Sequence, residues 1–392
     1  MKYNGESKPV THIPYGHQCI DDADIAALVD AARSDWLTRG PKSEEFESAL
    51  CEYTGAKYAV VVSSGTAALH IACLCAGVGA GDEVITTPMT FVASANSIMY
   101  CGARPVFADV LEDTVNIDPD EIKKRVSKST KAIIPVHYAG HPAELDAIKG
   151  IADRSGLIVI EDAAHALGAT YKGSAIGSCK YSDMTVFSFH PVKHITTGEG
   201  GAITTNREDL YKKLVMLRNH GITKDQDAMG SCDGPWCYEQ QLLGFNYHLT
   251  DFQCALGISQ LKKLDQFVKR RREIAAAYDE AFASSDEIVL PVEKAWVGAS
   301  RHLYFLRLRA PSCRCDLFNR MRSSGVGVQV HYIPVHLQPY YRKRFGHVAG
   351  DYPIAEKYYT ETMTIPLHPS MTQHEIEHVI QTTKRHLRSP YC

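Results

Sequence analysis

The chain has 392 residues, beyond the ~250–300 at which one core stops growing, so two domains are expected. Hydrophobic residues make up 45% and charged residues 22%, which excludes a disordered, collagen-like or solenoid chain. Lys plus Arg number 42 against 45 Asp plus Glu, for a net charge of −3, so nucleic acid is not an expected partner.

The N-terminal MKYNGESKPVTH contains no apolar segment of the kind a leader needs. No later stretch approaches ~18 uninterrupted apolar residues. A cytoplasmic protein without membrane contact is therefore expected.

In chain order, short β-branched runs alternate with helical stretches. The predicted strands are 59–63, 83–87, 105–109, 131–137, 157–162, 184–189 and 201–205. Between them lie the amphipathic stretches 91–100, 120–126 and 142–156. Continuously apolar strands separated by helices require a mostly parallel sheet covered on both faces, an α/β architecture. A long helix-forming stretch follows, DFQCALGISQLKKLDQFVKRRREIAAAYDEAF. After it the pattern changes to RHLYFLRLR, CDLFNRMRSSG, VGVQVHYIP and the helical QHEIEHVIQTTKRHL, a smaller α+β unit. The expected organisation is an N-terminal arm at 1–20, a large domain at 21–255 and a small C-terminal domain at 256–392.

Of the twelve cysteines, Cys73, Cys75 and Cys254 lie in apolar segments and read as small core residues. The pairs Cys313/Cys315 and Cys232/Cys237 lack the spacing of a tetrahedral site, so no metal is expected.

Three segments carry chemistry. In Val62-Ser63-Ser64-Gly65-Thr66 an apolar strand enters a Ser/Gly turn and then a helix, an arrangement that suits an anion and serves equally as a simple helix cap. The glycines at 77, 79 and 81 imitate a dinucleotide fingerprint but follow a helix and precede a strand, so they read as a helix stop and a turn. In LIVIEDAAHALG, Asp162 ends an apolar strand where ligands of open α/β sheets bind, while Glu161 points the opposite way; a helix-capping role for Asp162 is as well supported. In FSFHPVKHITTGEGG, Lys193 occupies a loop before a glycine-rich reversal. A desolvated lysine there can lose its proton and form a Schiff base, whereas a lone lysine is usually a solvated surface charge. Together, a phosphate-binding helix start, an acid at a strand end and a loop lysine are what pyridoxal 5'-phosphate requires of a protein.

The chain then resembles the DegT/StrS-type sugar-nucleotide aminotransferases, a pyridoxal phosphate family with the fold type I, aspartate aminotransferase-like architecture. The resemblance runs through LTRGPKSEEFE, SSGTAAL, GDEVITTPMTFVASAN, GARPVFADV, EDAAHALGATYKG, FSFHPVKHITTGEGGAITT, RNHGI, LGFNYHLTDFQCALGISQL and TIPLHPSMT. It implies that Lys193 holds the cofactor covalently, that Asp162 pairs with the pyridine nitrogen and that His165 lies beside the ring hydroxyl. It also implies that Gly65, Thr66 and Ser188 bind phosphate and that Phe91 covers one ring face. Asn246 would reach the phosphate of a neighbouring subunit, making a homodimer with shared sites. His331 would face the sugar nucleotide, although it reads equally as an ordinary strand residue.

Within the family, HGITKDQ, GPWCYEQQLLGFNY, VHYAG and SFHPVKHITT look most like the transaminases of pseudaminic acid synthesis. The implied reaction moves an amino group from L-glutamate to C4 of a UDP-linked 4-keto-6-deoxy-N-acetylhexosamine. Two departures stand out: His248 occupies the family's usual arginine position, where it would contact phosphate or substrate, and His194 replaces a frequent proline. The competing readings are the same chemistry on another keto sugar and a cofactor-binding regulator without turnover.

Overall fold

All seven predicted strands join one sheet in the computed structural model, which describes residues 12–230 and 233–387. Across the seven-stranded sheet the order is Tyr58–Val62, Gly201–Thr205, Met184–Ser188, Ile158–Asp162, Thr130–Ile134, Glu83–Thr86 and Arg104–Phe107. Gly201–Thr205 runs antiparallel to both of its neighbours, and the other adjacent pairs are parallel. The reversal follows Gly198, which has φ +79°.

Successive strand residues point to opposite faces, so an uninterrupted apolar run feeds two cores. Val60, Val62, Ile160, Val186 and Ile203 pack with the helix Gly65–Cys75. Val61, Phe187 and Ala202 face the other way, onto Phe46, Leu50 and Leu249. The helix Gly65–Cys75 is itself buried nearly all round, the pattern of a helix inside a large protein. Cys73, Cys75 and Cys254 are buried core residues as expected. Cys237 is disulfide-bonded, and Cys232 lies outside the described residues. So do residues 1–11 of the expected N-terminal arm. The glycines of the false fingerprint act as a stop and a turn: Gly77 has φ +77° and Gly81 φ +92°, a region that disfavours other residues.

The C-terminal part contains a three-stranded antiparallel sheet ordered Ile288–Val289, Tyr304–Leu308 and Thr362–Ile365. The helix Gln373–Leu387 buries Ile376, Val379, Thr383 and Leu387, one stripe at helical spacing. Ile13 of the arm is buried in this core and bridges Val326 in parallel.

Two expectations need correction. The long helical stretch is two helices, Asp251–Leu261 and Leu264–Phe282, where one was expected. At the break, Lys263 pairs with Asp21 at 2.8 Å and Asp24 at 2.6 Å. The segment 326–334 forms no strand of its own: it is attached by single bridges, Val326 to Ile13 and Gln329 to Thr364, so His331 is not a strand residue.

Candidate active site

Strand register assembles the first part of the site. Gly201 pairs with Val62 on one side and with Ser188 on the other, so the helix start after Val62 meets the end of the Met184–Ser188 strand. A Cβ on Gly65 would lie 2.8 Å from Ser188 Cβ, and one on Gly201 would lie 2.6 Å from the Ser64 carbonyl. Glycine at 65 is thus demanded by close packing at the helix start. The Ser64 hydroxyl accepts from Ala67 N at 3.0 Å, so the turn expected to hold an anion is also the cap of this helix.

Asp162 ends its strand with 5% exposure. One carboxylate oxygen accepts from the Ser94 hydroxyl at 2.7 Å and the other from Ala164 N at 3.2 Å. The acid is oriented by bonds from two elements, which goes beyond helix capping. Glu161 faces away, as expected, and is buried against His137 Nε2 at 2.7 Å.

Lys193 lines the same cleft, and the reading as a solvated surface lysine is set aside. Its amine is pushed down to about 8: burial lowers it most, Asp162 raises it and Arg271 lowers it again. His165 Nε2 lies 3.1 Å from the Tyr332 hydroxyl, while its Nδ1 is buried without a partner. Burial first, then Lys193, hold His165 well below the usual histidine range, so the ring is neutral. Phe91 is 57% exposed at the cleft, its ring centroid 6.2 Å from that of Tyr332. His331 faces the cleft with Nδ1 2.9 Å from the Thr364 hydroxyl, and burial pushes it down to about 3.

The cleft, about 670 Å³, therefore gathers Gly65, Thr66, Phe91, Asp162, His165, Ser188, Lys193 and His331. It does not gather Asn246 or His248 of the same chain. Asn246 is exposed and bridges Asn219, and His248 Nε2 lies 3.1 Å from Asn219 Oδ1. Burial, then Arg218, push His248 down to about 4, so it carries no charge in place of the usual arginine. Ser94, Tyr332 and His302 were not anticipated. Ser94 and Tyr332 sit inside the motifs TFVASAN and VHYIPVH, but nothing local marks either as a contact of Asp162 or His165.

These residues fit pyridoxal phosphate. A buried carboxylate faces the cleft, a lysine amine is poised to lose its proton, and a glycine-built helix start offers N–H groups and hydroxyls. The unpartnered Nδ1 of His165 adds a buried polar atom beside them.

Residues 18–384 match the DegT/DnrJ/EryC1/StrS aminotransferase family. The chain belongs to this family. As a DegT-family member it is a pyridoxal-phosphate-dependent sugar aminotransferase of fold type I. It is 42% identical over 381 residues to the spore coat polysaccharide biosynthesis protein SpsC of Bacillus subtilis, covering 95% of this chain and 96% of that protein. Identity is 40% over 376 residues to the UDP-4-amino-4,6-dideoxy-N-acetyl-beta-L-altrosamine transaminase of Campylobacter jejuni, covering 94% and 96%. Among solved structures, Helicobacter pylori PseC, an aminotransferase involved in the biosynthesis of pseudaminic acid, superposes with TM-score 0.89 at 32% identity, covering 96% of this chain and 99% of that one. No described helix is long and apolar enough to cross a membrane.

Proposed function

We propose that this DegT-family enzyme transfers the amino group of L-glutamate to C4 of a UDP-linked 4-keto-6-deoxy-N-acetylhexosamine, in pseudaminic acid synthesis in the cytoplasm. The observation that carries the reading is the near-full-length similarity to the Campylobacter transaminase. The cleft of about 670 Å³ supports it, since glutamate and a bulky nucleotide sugar must reach the same lysine in turn.

Pyridoxal phosphate supplies a conjugated ring that takes up the electron pair left when a substrate C–H bond breaks. The remaining work falls to the chain. Gly65, Thr66 and Ser188 hold the phosphate at the helix start. Asp162, aligned by Ser94, keeps a proton on the pyridine nitrogen. Lys193 Nζ removes the proton from the substrate carbon and returns it on the other side of the exchange. Phe91 covers one face and excludes water, and His331 contacts the sugar nucleotide as a neutral group. The working unit is a homodimer in which Asn246 and His248 of one subunit complete the site of the other.

SpsC similarity favours a second reading, the same chemistry on a different keto sugar. A panel of UDP- and dTDP-linked keto sugars with L-glutamate separates the two. The proposed substrate should give the highest kcat/KM, with nitrogen at C4. A dTDP-linked sugar winning by more than about tenfold, equivalent to ~1.4 kcal/mol, overturns the assignment and leaves the family standing.

A further inference from the structure

The N-terminal arm is pinned to the C-terminal unit and reaches the cleft. Ile13 N donates to the Gly325 carbonyl at 2.8 Å, and the Ile13 carbonyl accepts from Gly327 N at 2.7 Å. Two residues on, the Tyr15 carbonyl accepts from Leu367 N at 3.1 Å. A Cβ on Gly327 would lie 2.7 Å from the Ile13 carbonyl oxygen, so the arm runs directly against the C-terminal backbone. On its other side, a Cβ on Gly16 would touch the side chain of Val192, the residue before Lys193, at 3.5 Å. Tyr15 is thus fixed between the C-terminal unit and the lysine loop, and it lines the cleft.

Its surroundings say what it can meet there. The Tyr15 ring centroid is 5.3 Å from that of His331, the planes tilted by 54°. Nδ1 of His331 is engaged by the Thr364 hydroxyl at 2.9 Å, which leaves Nε2 as its available polar atom. No hydrogen bond of the described residues engages the Tyr15 hydroxyl. From the segment 329–338 the lining adds Gln329, Gln338, Val330 and Ile333.

None of these side chains carries a charge, since burial keeps His331 neutral. Among the described lining residues Lys193 is the only lysine or arginine. A carboxylate placed against Tyr15 would lose water and meet no cation. Hydroxyl and amide groups would find donors and acceptors, and a methyl group would find Val330 and Ile333. This part of the lining suits a neutral sugar ring better than the glutamate that must use the same cleft.

We propose that Tyr15 is a specificity-determining residue for the keto sugar: its hydroxyl hydrogen-bonds a ring substituent of the hexose, alongside His331. The inference rests on the proposed function, which brings a nucleotide sugar to this cleft. Main-chain bonds hold the tyrosine in place before the sugar arrives, so the contact is not weakened by the cost of ordering a loose arm.

Tyr15→Phe removes the hydroxyl and keeps the ring. In the loaded enzyme each half-reaction is followed separately by the cofactor's absorbance, first with L-glutamate, then with the UDP-linked 4-keto-6-deoxy-N-acetylhexosamine. The sugar half-reaction of the variant should lose about five- to tenfold in kcat/KM relative to the glutamate half-reaction. Without glutamate there is no amino group to transfer, and calorimetry reads binding alone. The nucleotide sugar should bind the variant about fivefold more weakly, and UDP by itself should show no such loss. An unmoved ratio of the two half-reactions overturns the proposal. So does an equal weakening of UDP and of the UDP sugar, which would place the tyrosine on the nucleotide. If the unaltered enzyme prefers the dTDP-linked keto sugar, the proposed substrate falls and the same ratio is read with that sugar, so the two failures are told apart.

Discussion

The Tyr332 hydroxyl lies 3.1 Å from Nε2 of His165. Tyr332 belongs to a segment tied to the C-terminal sheet through the Gln329–Thr364 bridge, whereas His165 follows the Ile158–Asp162 strand of the large sheet. Beside the bond from the Tyr138 hydroxyl to the His331 carbonyl, this hydrogen bond therefore links the C-terminal segment to the large sheet at the cleft. Removing it with Tyr332→Phe leaves a buried ring nitrogen unsatisfied, which costs ~1–3 kcal/mol. Cofactor affinity, measured by absorbance titration, should fall by about tenfold, equivalent to ~1.4 kcal/mol. Unchanged affinity would show that the orientation of His165 does not depend on Tyr332.

Asp162 and Ser94 form a second such pair at 2.7 Å. Asp162→Asn keeps the shape and removes the charge proposed to retain a proton on the pyridine nitrogen. The rate should drop by on the order of 100-fold or more, with the melting temperature nearly unchanged. Ser94→Ala removes only the alignment and should cost about tenfold. A nearly normal rate in the asparagine variant would contradict the role of Asp162.

The lowered Lys193 amine has a direct pH signature. An amine attacks an aldehyde only when unprotonated, so cofactor uptake by the cofactor-free chain should rise about tenfold per pH unit and level off near pH 8, the position to which burial brings Lys193. Protonation below that pH removes the nucleophile, so uptake is lost as pH falls. An ordinary lysine, titrating at 10.5, would show uptake still climbing above pH 9. Lys193→Ala should abolish transamination, and full activity in that variant would refute the assignment.

Gly65 is held by packing, since a Cβ there would sit 2.8 Å from Ser188 Cβ. Gly65→Ala must push the helix start away from Ser188 and spoil the proposed phosphate site. A loss of cofactor affinity of about tenfold or more is expected. Adding Ser188→Gly reopens the space, so the double variant should bind better than the sum of the single losses allows. Strict additivity in that cycle would argue against the contact.

The shared-site proposal is tested by mixing two impaired variants. Lys193→Ala and Asn246→Ala subunits should together regenerate one site with both native residues, and with it partial activity. A fully active monomer in dilute sedimentation would contradict a site built from two subunits.

Much of the fold was legible because its cause is local. Most strands of the large sheet are buried on both faces, so they read as short apolar runs, and the structure pairs all seven in one sheet. Asp162, Lys193 and the turn from Ser64 to Thr66, which line one cleft, were legible as candidates for the same reason: ligand groups on such a sheet are expected where a strand ends, and a strand end is visible in one dimension. The helix break at Lys262–Lys263 was not visible. No proline or glycine marks it, and the pairing of Lys263 with Asp21 and Asp24 joins residues more than two hundred positions apart.

By itself, then, the sequence determined the α/β layering, the family and the residue types proposed to meet the cofactor, because each is written in a contiguous segment. Tertiary structure alone decided which of those residues are aligned and how they are charged. Ser94 reaches Asp162, Tyr332 reaches His165, and Arg271 donates to the His302 and Leu367 carbonyls. Hydrogen bonds and fields between distant segments leave no periodicity in the chain. The protonation of a lysine or histidine depends on which charges folding brings beside it and how much water folding removes.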